Sequence, residues 1–350
     1  MIEREQISFP ATLFVSYLSC VEERRYCEHP EEICEVLLEE ELPLFKEALH
    51  IYEECYATSW QKEVLKGELL QSKGFEVLRQ AKAVQLVLYF GATEYLTKKF
   101  NIRQLSGYSI GYAAVFAAVE TMKPRDLLNI LPINRDYALN NIKIWETGEY
   151  HSILLCSYDN AQFSREIREL VTLFLPKILV RDDRHPYAVQ CVGSRSELEH
   201  LRDLVFARFE AETTSSSIIK ADGSHLWQEK YPAIREVFES FSFSAPKIEI
   251  STHVDGILKS GMSALEAGRV LFNCVQAPLS MGTVNERLRG LDLPVLYVGS
   301  ERTARFVFYG FGPAKFAKPC FHWEQSILTG TMEHSMSLPQ ESLLKWNPLP

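Results

Sequence analysis

Two hydrophobic periods divide this chain. Glu31 to Glu41 is acidic but carries apolar residues at 33, 36, 37 and 38, the one-sided stripe of an amphipathic helix. Residues 76–98 hold Val77, Leu78, Ala81, Val84, Leu86, Val87, Tyr89 and Phe90, too apolar for an exposed helix, so the pattern predicts a buried one. Lys123-Pro124-Arg125-Asp126 opens a further helix with proline at a tolerated early position, and Pro132 predicts a kink or break within it. Leu265 to Val275 reads as a helix. Short apolar runs read as strands: Ile7 to Phe14, running into a loop, then Pro246 to Thr252 and Pro294 to Gly299. From about Trp323 the chain is rich in Ser, Pro and Leu and predicts no element.

Between 151 and 218 the rhythm changes. His151 to Tyr158 reads as a strand, Ala161 to Leu175 as a helix, and Tyr187 to Gly193 as a strand ending in a turn. Ser196 to Phe209 reads as a helix with an early Ser-x-Leu-Glu start, and Ser215 to Ile219 as a last strand. This outlines β-α-β-β-α-β, the ferredoxin-like split motif, with three of its four strands placed. The expected organisation is a large α/β domain over 1–147 and 219–322, an inserted ferredoxin-like subdomain over 148–218, and a C-terminal tail over 323–350.

Composition narrows the function classes. The 350 residues are 46% hydrophobic and 24% charged, as in a globular protein with a sizeable core. A formal net charge of -9 argues against a general nucleic-acid binder. No apolar run reaches the roughly 18 residues that span a bilayer, and the charged start Met1-Ile2-Glu3-Arg4-Glu5 lacks a signal-peptide apolar region. A cytoplasmic location is expected. None of the eight cysteines forms a C-x-x-C pair, and Cys27 and His29 have no second ligand pair at zinc-site spacing. Reduced structural thiols and no metal are expected.

Candidate chemistry centres on Gly107-Tyr108-Ser109-Ile110-Gly111, a G-x-S-x-G between an apolar segment and a helix carrying Ala113, Ala114, Ala117 and Ala118. In a strand–turn–helix context this pattern lifts a serine hydroxyl onto a sharp elbow. The amide after the serine, that of Ile110, is placed to help hold an oxyanion.

In order along the chain, these pieces resemble the malonyl-CoA:acyl carrier protein transacylase family, which includes the acyltransferase domains of polyketide and fatty-acid synthases. The resemblance covers roughly residues 6–315. Gln85 lies in an apolar helix where the family has a glutamine. Gly107 to Gly111 matches the family's G-H-S-x-G with Tyr108 for histidine. Ala221-Asp222-Gly223-Ser224-His225 matches the region of the catalytic histidine. Ile250 to Gly256 and Leu271 to Gln276 resemble the "S-x-V-x-G" and "Q-L-x-x-P-V-x-W" regions.

The resemblance implies an α/β-hydrolase-like large domain with a parallel sheet. It also implies ping-pong acyl transfer between thioesters by a Ser109–His225 dyad, with the histidine oriented by a backbone carbonyl near Asn273 to Gln276. Substrates would be acyl-CoA or a phosphopantetheinyl carrier protein, with no bound cofactor, and the partner an acyl carrier protein. Arg302, Arg305, Lys315 and Lys318 form one candidate docking patch for it, and Lys177, Arg181 and Arg184 another. His151, His185, His253 and His322 read as ordinary histidines.

Three departures bear on substrate. The family's opening F-P-G-Q-G-S-Q corresponds to Phe9-Pro10-Ala11-Thr12-Leu13-Phe14-Val15, with Thr12 in place of the oxyanion glutamine and both glycines gone. Counting about 25 residues from Ser109, to the family's carboxylate-gripping arginine, reaches Asn134, with Arg135 next and about 100° further round a helix. Ser224 stands where malonyl-type members have phenylalanine, and Asp222 disfavours an anionic acyl group. Together these favour an acyl group other than plain malonyl. Alternatives are a carrier-protein thioester hydrolase of the same fold and a non-catalytic scaffold.

Overall fold

The computed structural model describes residues 10–16, 26–71, 75–108, 111–127, 151–157, 160, 162–185, 188–209, 213–215, 219–220, 239, 241–254, 257–276, 279–280, 284, 287–288, 290, 292–299 and 320–332. The main sheet begins with β1 (Ala11–Ser16). Among the described residues, four α-helices follow before the chain returns to it: α1 (Pro30–Glu39), α2 (Pro43–Tyr56), α3 (Trp60–Lys66) and α4 (Phe75–Lys99). Prolines open α1 and α2 where a helix has no N–H to lose. The acidic first turn of α1, Glu31 and Glu32, suits the positive end of its dipole. The N-terminus of α2 has no side-chain cap of its own; the buried Glu94 of α4 accepts the Phe45 N–H at 2.9 Å instead.

Next come β2 (Ile102–Tyr108) and α5 (Gly111–Ala118). Residues 151–220 then run β3 (His151–Ser157), α6 (Phe163–Phe174), β4 (Leu179–His185), β5 (Ala188–Gly193), α7 (Arg195–Phe209), β6 (Thr213–Ser215) and β7 (Ile219–Lys220). The chain continues with β8 (Glu249–Ser251), β9 (Ile257–Leu258), α8 (Ala264–Gln276), β10 (Leu279–Ser280), β11 (Val295–Val298), β12 (Cys320–His322) and α9 (Trp323–Thr329).

The main sheet has the order β12-β11-β1-β2-β8-β9, parallel throughout except for β9. Alternation divides its faces. Leu13, Val15, Leu105, Ile250, Leu296 and Val298 pack on one side into the core built with α1, α2, α4 and α5. The pairing register puts Thr12, Gln104 and Glu249 on the other side, then Phe14, Ser106 and Ser251, with Phe14 stacked on Tyr297 at 5.9 Å.

The second sheet has the order β10-β4-β5-β3-β6, with β7 also on β3. Its own core joins Ile153, Leu155, Val189 and Cys191 to Ile167 and Leu170 of α6 and to Leu198, Leu201 and Val205 of α7. The observed elements run past the expected boundaries in three places. The second sheet reaches past residue 218, because β7 pairs with β3. It also takes in β10 from beyond the 148–218 stretch, parallel to β4. Trp323 starts a buried helix on α1 and α4 rather than a tail.

Candidate active site

Parallel strands present their C-terminal ends along one edge, where α/β folds build sites. On this edge β2 ends at Tyr108 and α5 begins at Gly111, so the frame around Ser109 is a strand, a two-residue link and a helix. Ser109 and Ile110 themselves lie outside the described residues. Gly107 is why the link is short. A Cβ there would stand 2.9 Å from the Tyr112 nitrogen and 3.1 Å from its Cα, so only glycine lets the helix fold back this closely.

Strand register places the neighbours. Ser16, the last residue of β1, pairs with Tyr108, and Ser251 of β8 pairs with Ser106. Buried polar groups tie β2 to β8: Gln104 Nε2 donates to Ser251 Oγ at 2.6 Å and Ser106 Oγ donates to the Ser251 carbonyl at 3.0 Å. Beyond Ser251, the Thr252 carbonyl accepts from Arg287 Nη1, and His253 is buried with its ring 5.4 Å from that of Tyr112. Burial pushes the Cys274 thiol of α8 up to about 12, against the opposing pull of the Thr252 hydrogen bond and the Arg287 charge, so it stays a protonated thiol. Burial likewise holds the Tyr112 phenol well above its ordinary range, with Cys274 adding to the rise.

Thr12, expected at the oxyanion position, is a residue of strand β1. Its N–H donates to the Pro294 carbonyl at 2.9 Å as part of the sheet. It also sits four residues before the end of β1, about 13 Å from the functional edge.

Gln85 is buried in α4 and donates to the Tyr89 hydroxyl one turn on, at 2.8 Å. Gln276 ends α8, and its side chain lies outside the described residues, as do Asn134, Arg135, Ser224 and His225. Of the docking patches, Lys177 is exposed just before β4 and Arg181 and Arg184 lie on β4. Arg302, Arg305, Lys315 and Lys318 are outside the described residues.

The other histidines separate by position. His322 ends β12, three strands from β2 or roughly 14 Å. Its Nε2 donates to the Gly299 carbonyl at 2.9 Å, which also accepts Trp323 Nε1 at 3.2 Å, a structural clasp. His151 and His185 belong to the second sheet. His253, by contrast, follows the strand next to β2. Sequence reasoning read His253 as an ordinary histidine and did not single out Tyr112; the available signals were proximity to the end of a predicted strand and to the serine motif. Among the described residues no group of three His, Cys, Asp or Glu side chains could hold a metal ion, and no helix is long and apolar enough to cross a membrane.

No protein-family model matches the chain, and no curated protein matches it in sequence. Solved structures do share its architecture. The malonyl-CoA:acyl carrier protein transacylase of Xanthomonas oryzae is similar with a TM-score of 0.69 at 12% identity, over 95% of this chain and 100% of that one. A malonyl-transacylase solved in complex with its type II polyketide synthase acyl carrier protein is similar at 0.68 and 12%, over 92% and 100%. The acyltransferase domain from the second module of the salinomycin polyketide synthase is similar at 0.66 and 12%, over 92% and 72%. The chain has the α/β fold of these transacylases, with its mostly parallel sheet.

Proposed function

We propose that this protein is an acyltransferase that moves an acyl group between thioesters through an acyl-serine at Ser109. The observation that carries the reading is the G-x-S-x-G link between a parallel strand and a helix, with Gly107 pressed on the Tyr112 backbone, in a chain of transacylase fold. In this reading the large sheet belongs to an α/β-hydrolase-like domain, and residues 151–220 are its ferredoxin-like insert.

Ser109 Oγ attacks the thioester carbonyl while His225 takes its proton. The Ile110 amide stabilises the oxyanion. The C–S bond then breaks, and His225 returns the proton to the departing thiolate. A phosphopantetheine thiol of an acyl carrier protein attacks the acyl-serine in the second half, and Ser109 is regenerated. The acyl group proposed is not plain malonyl, because Asn134 stands at the position of the carboxylate-gripping arginine. That same residue favours the second reading, in which water attacks and the enzyme clears acyl groups from carrier proteins.

The test is direct. Incubation with acetyl-, malonyl- and octanoyl-CoA should give an acyl adduct by intact mass that is absent in Ser109→Ala. No adduct with any donor would leave a scaffold. With an adduct in hand, a holo carrier protein should accept the acyl group; release of free acid at a rate indifferent to the carrier would select the hydrolase.

A further inference from the structure

Three elements meet on one phenol. Tyr112 lies three residues after Ser109 in sequence, within the first turn of α5, and is buried. Its backbone and Cδ1 bear on Gly107 of β2, closing the strand–helix link from the helix side. Its ring stacks on Phe116 at 5.6 Å, one turn further along α5, and is tilted against the His253 ring at the end of β8. Its hydroxyl lies near the Ser106 side chain and the His253 backbone but makes no hydrogen bond of good geometry among the described residues. The ring rather than the hydroxyl therefore makes the tight contacts. Ser106 in turn is fixed to Ser251, so the strand pair behind the ring cannot slide without breaking a buried hydrogen bond.

We propose that Tyr112 is the positioning residue of the Ser109 elbow: a wedge between β2, α5 and β8 that sets the angle at which the serine leaves the strand. This rests on the acyl-serine reading above. A wedge of this kind acts on the step in which Ser109 attacks. Its ring is buried and presents almost no surface to a donor, so it should move the rate of acylation and not donor affinity.

The experiment compares wild type, Tyr112→Leu and Tyr112→Phe by the rate of Ser109 adduct formation at rising donor concentration. It uses whichever of acetyl-, malonyl- or octanoyl-CoA acylates the wild type, a fluorophosphonate probe in parallel, and a thermal unfolding midpoint for each protein. Tyr112→Leu should lower the limiting rate about 10²-fold, the loss expected of a misplacement near 1 Å, with the half-saturating concentration within about twofold. Fluorophosphonate labelling should fall in step, and Tyr112→Phe should recover most of both, because it restores the ring. A folded Tyr112→Leu that reacts at the wild-type rate, or that loses only donor affinity, overturns the proposal. If Tyr112→Leu does not fold, Gly107→Ala strains the same contact from the strand side and is read in the same way. A wild type that reacts with neither probe overturns the acyl-serine reading itself, so the two failures are distinguishable.

Discussion

Thr12 has a fully buried hydroxyl with no hydrogen-bond partner among the described residues, and its N–H is committed to Pro294. Its pairing neighbour across β1 and β2 is Gln104, whose buried amide oxygen is likewise unpaired. Thr12→Val keeps the shape and removes a desolvated donor. It should be neutral or stabilising by about 1 kcal/mol in urea unfolding, with the acylation rate unchanged. A tenfold rate loss would return residue 12 to the site. The sequence misleads here for a physical reason. Phe9-Pro10 resembles a glycine-loop motif, but the run after it, Thr12-Leu13-Phe14-Val15, has no glycine to turn on and is β-branched and aromatic, so it continues as a strand. The strand–link–helix frame around residue 109 was legible where the strand at Thr12 was not, because Gly107 is demanded by a close approach to the Tyr112 backbone.

Helices α7 and α8 open alike. Ser194 Oγ and N–H both donate to Glu197 Oε2, at 2.6 and 3.1 Å, and the Glu197 N–H returns to Ser194 Oγ at 3.3 Å. Ser263 and Glu266 repeat the pattern at 2.7, 2.9 and 3.3 Å. These are capping boxes, each meeting helix donors that would otherwise go unpaired. The Ser194 hydroxyl bond holds the Glu197 carboxyl below its ordinary 4.5, against partial desolvation. A group whose folded pKa is depressed contributes stability that is present above its unfolded value and lost as pH falls through the folded one. Ser194→Ala should therefore cost about 1 kcal/mol at pH 7 and less well below pH 4 in matched urea titrations, the part that remains being the charge-independent bond from the Glu197 N–H to Ser194 Oγ. An equal difference at both pH values would mean that the charge plays no part. The cap was visible in sequence, though placed two residues late. Strand β4 was not, because Leu179-Val180-Arg181-Asp182-Asp183-Arg184-His185 is mostly charged and its strand character comes from pairing with β5 and β10.

Across the whole molecule, what the sequence withheld is what joins its ends. Apolar periodicity is local, and it predicted β1, β8 and β11 of the main sheet and helices α1, α4, α5 and α8. It carries no signal that a Ser- and Pro-rich C-terminal stretch closes the fold. Yet β12 forms one edge of the main sheet, and α9 behind it packs on α1 and α4. The link is Glu324, a buried carboxylate whose Oε2 accepts the N–H of Glu28 at 2.8 Å and of His29 at 3.0 Å, across 296 and 295 residues of chain. The His29 carbonyl then accepts the N–H of Ile33, so α1 is seated by the same clasp. Nearby, the Cys27 thiol is held far above its ordinary range, by burial first and by the Glu324 charge second. Glu324→Ala leaves two N–H groups without their acceptor in a partly desolvated seam and should destabilise by about 2–4 kcal/mol. Against a total of about 5–15 kcal/mol, that is enough to move the urea midpoint clearly. Glu324→Gln keeps one oxygen in place for both donors and should lose less than half as much. If alanine and glutamine lose the same amount, the charge and not the hydrogen bonds holds the ends together. If neither changes the midpoint, α9 is held by its apolar contacts through Trp323 and Ile327 alone.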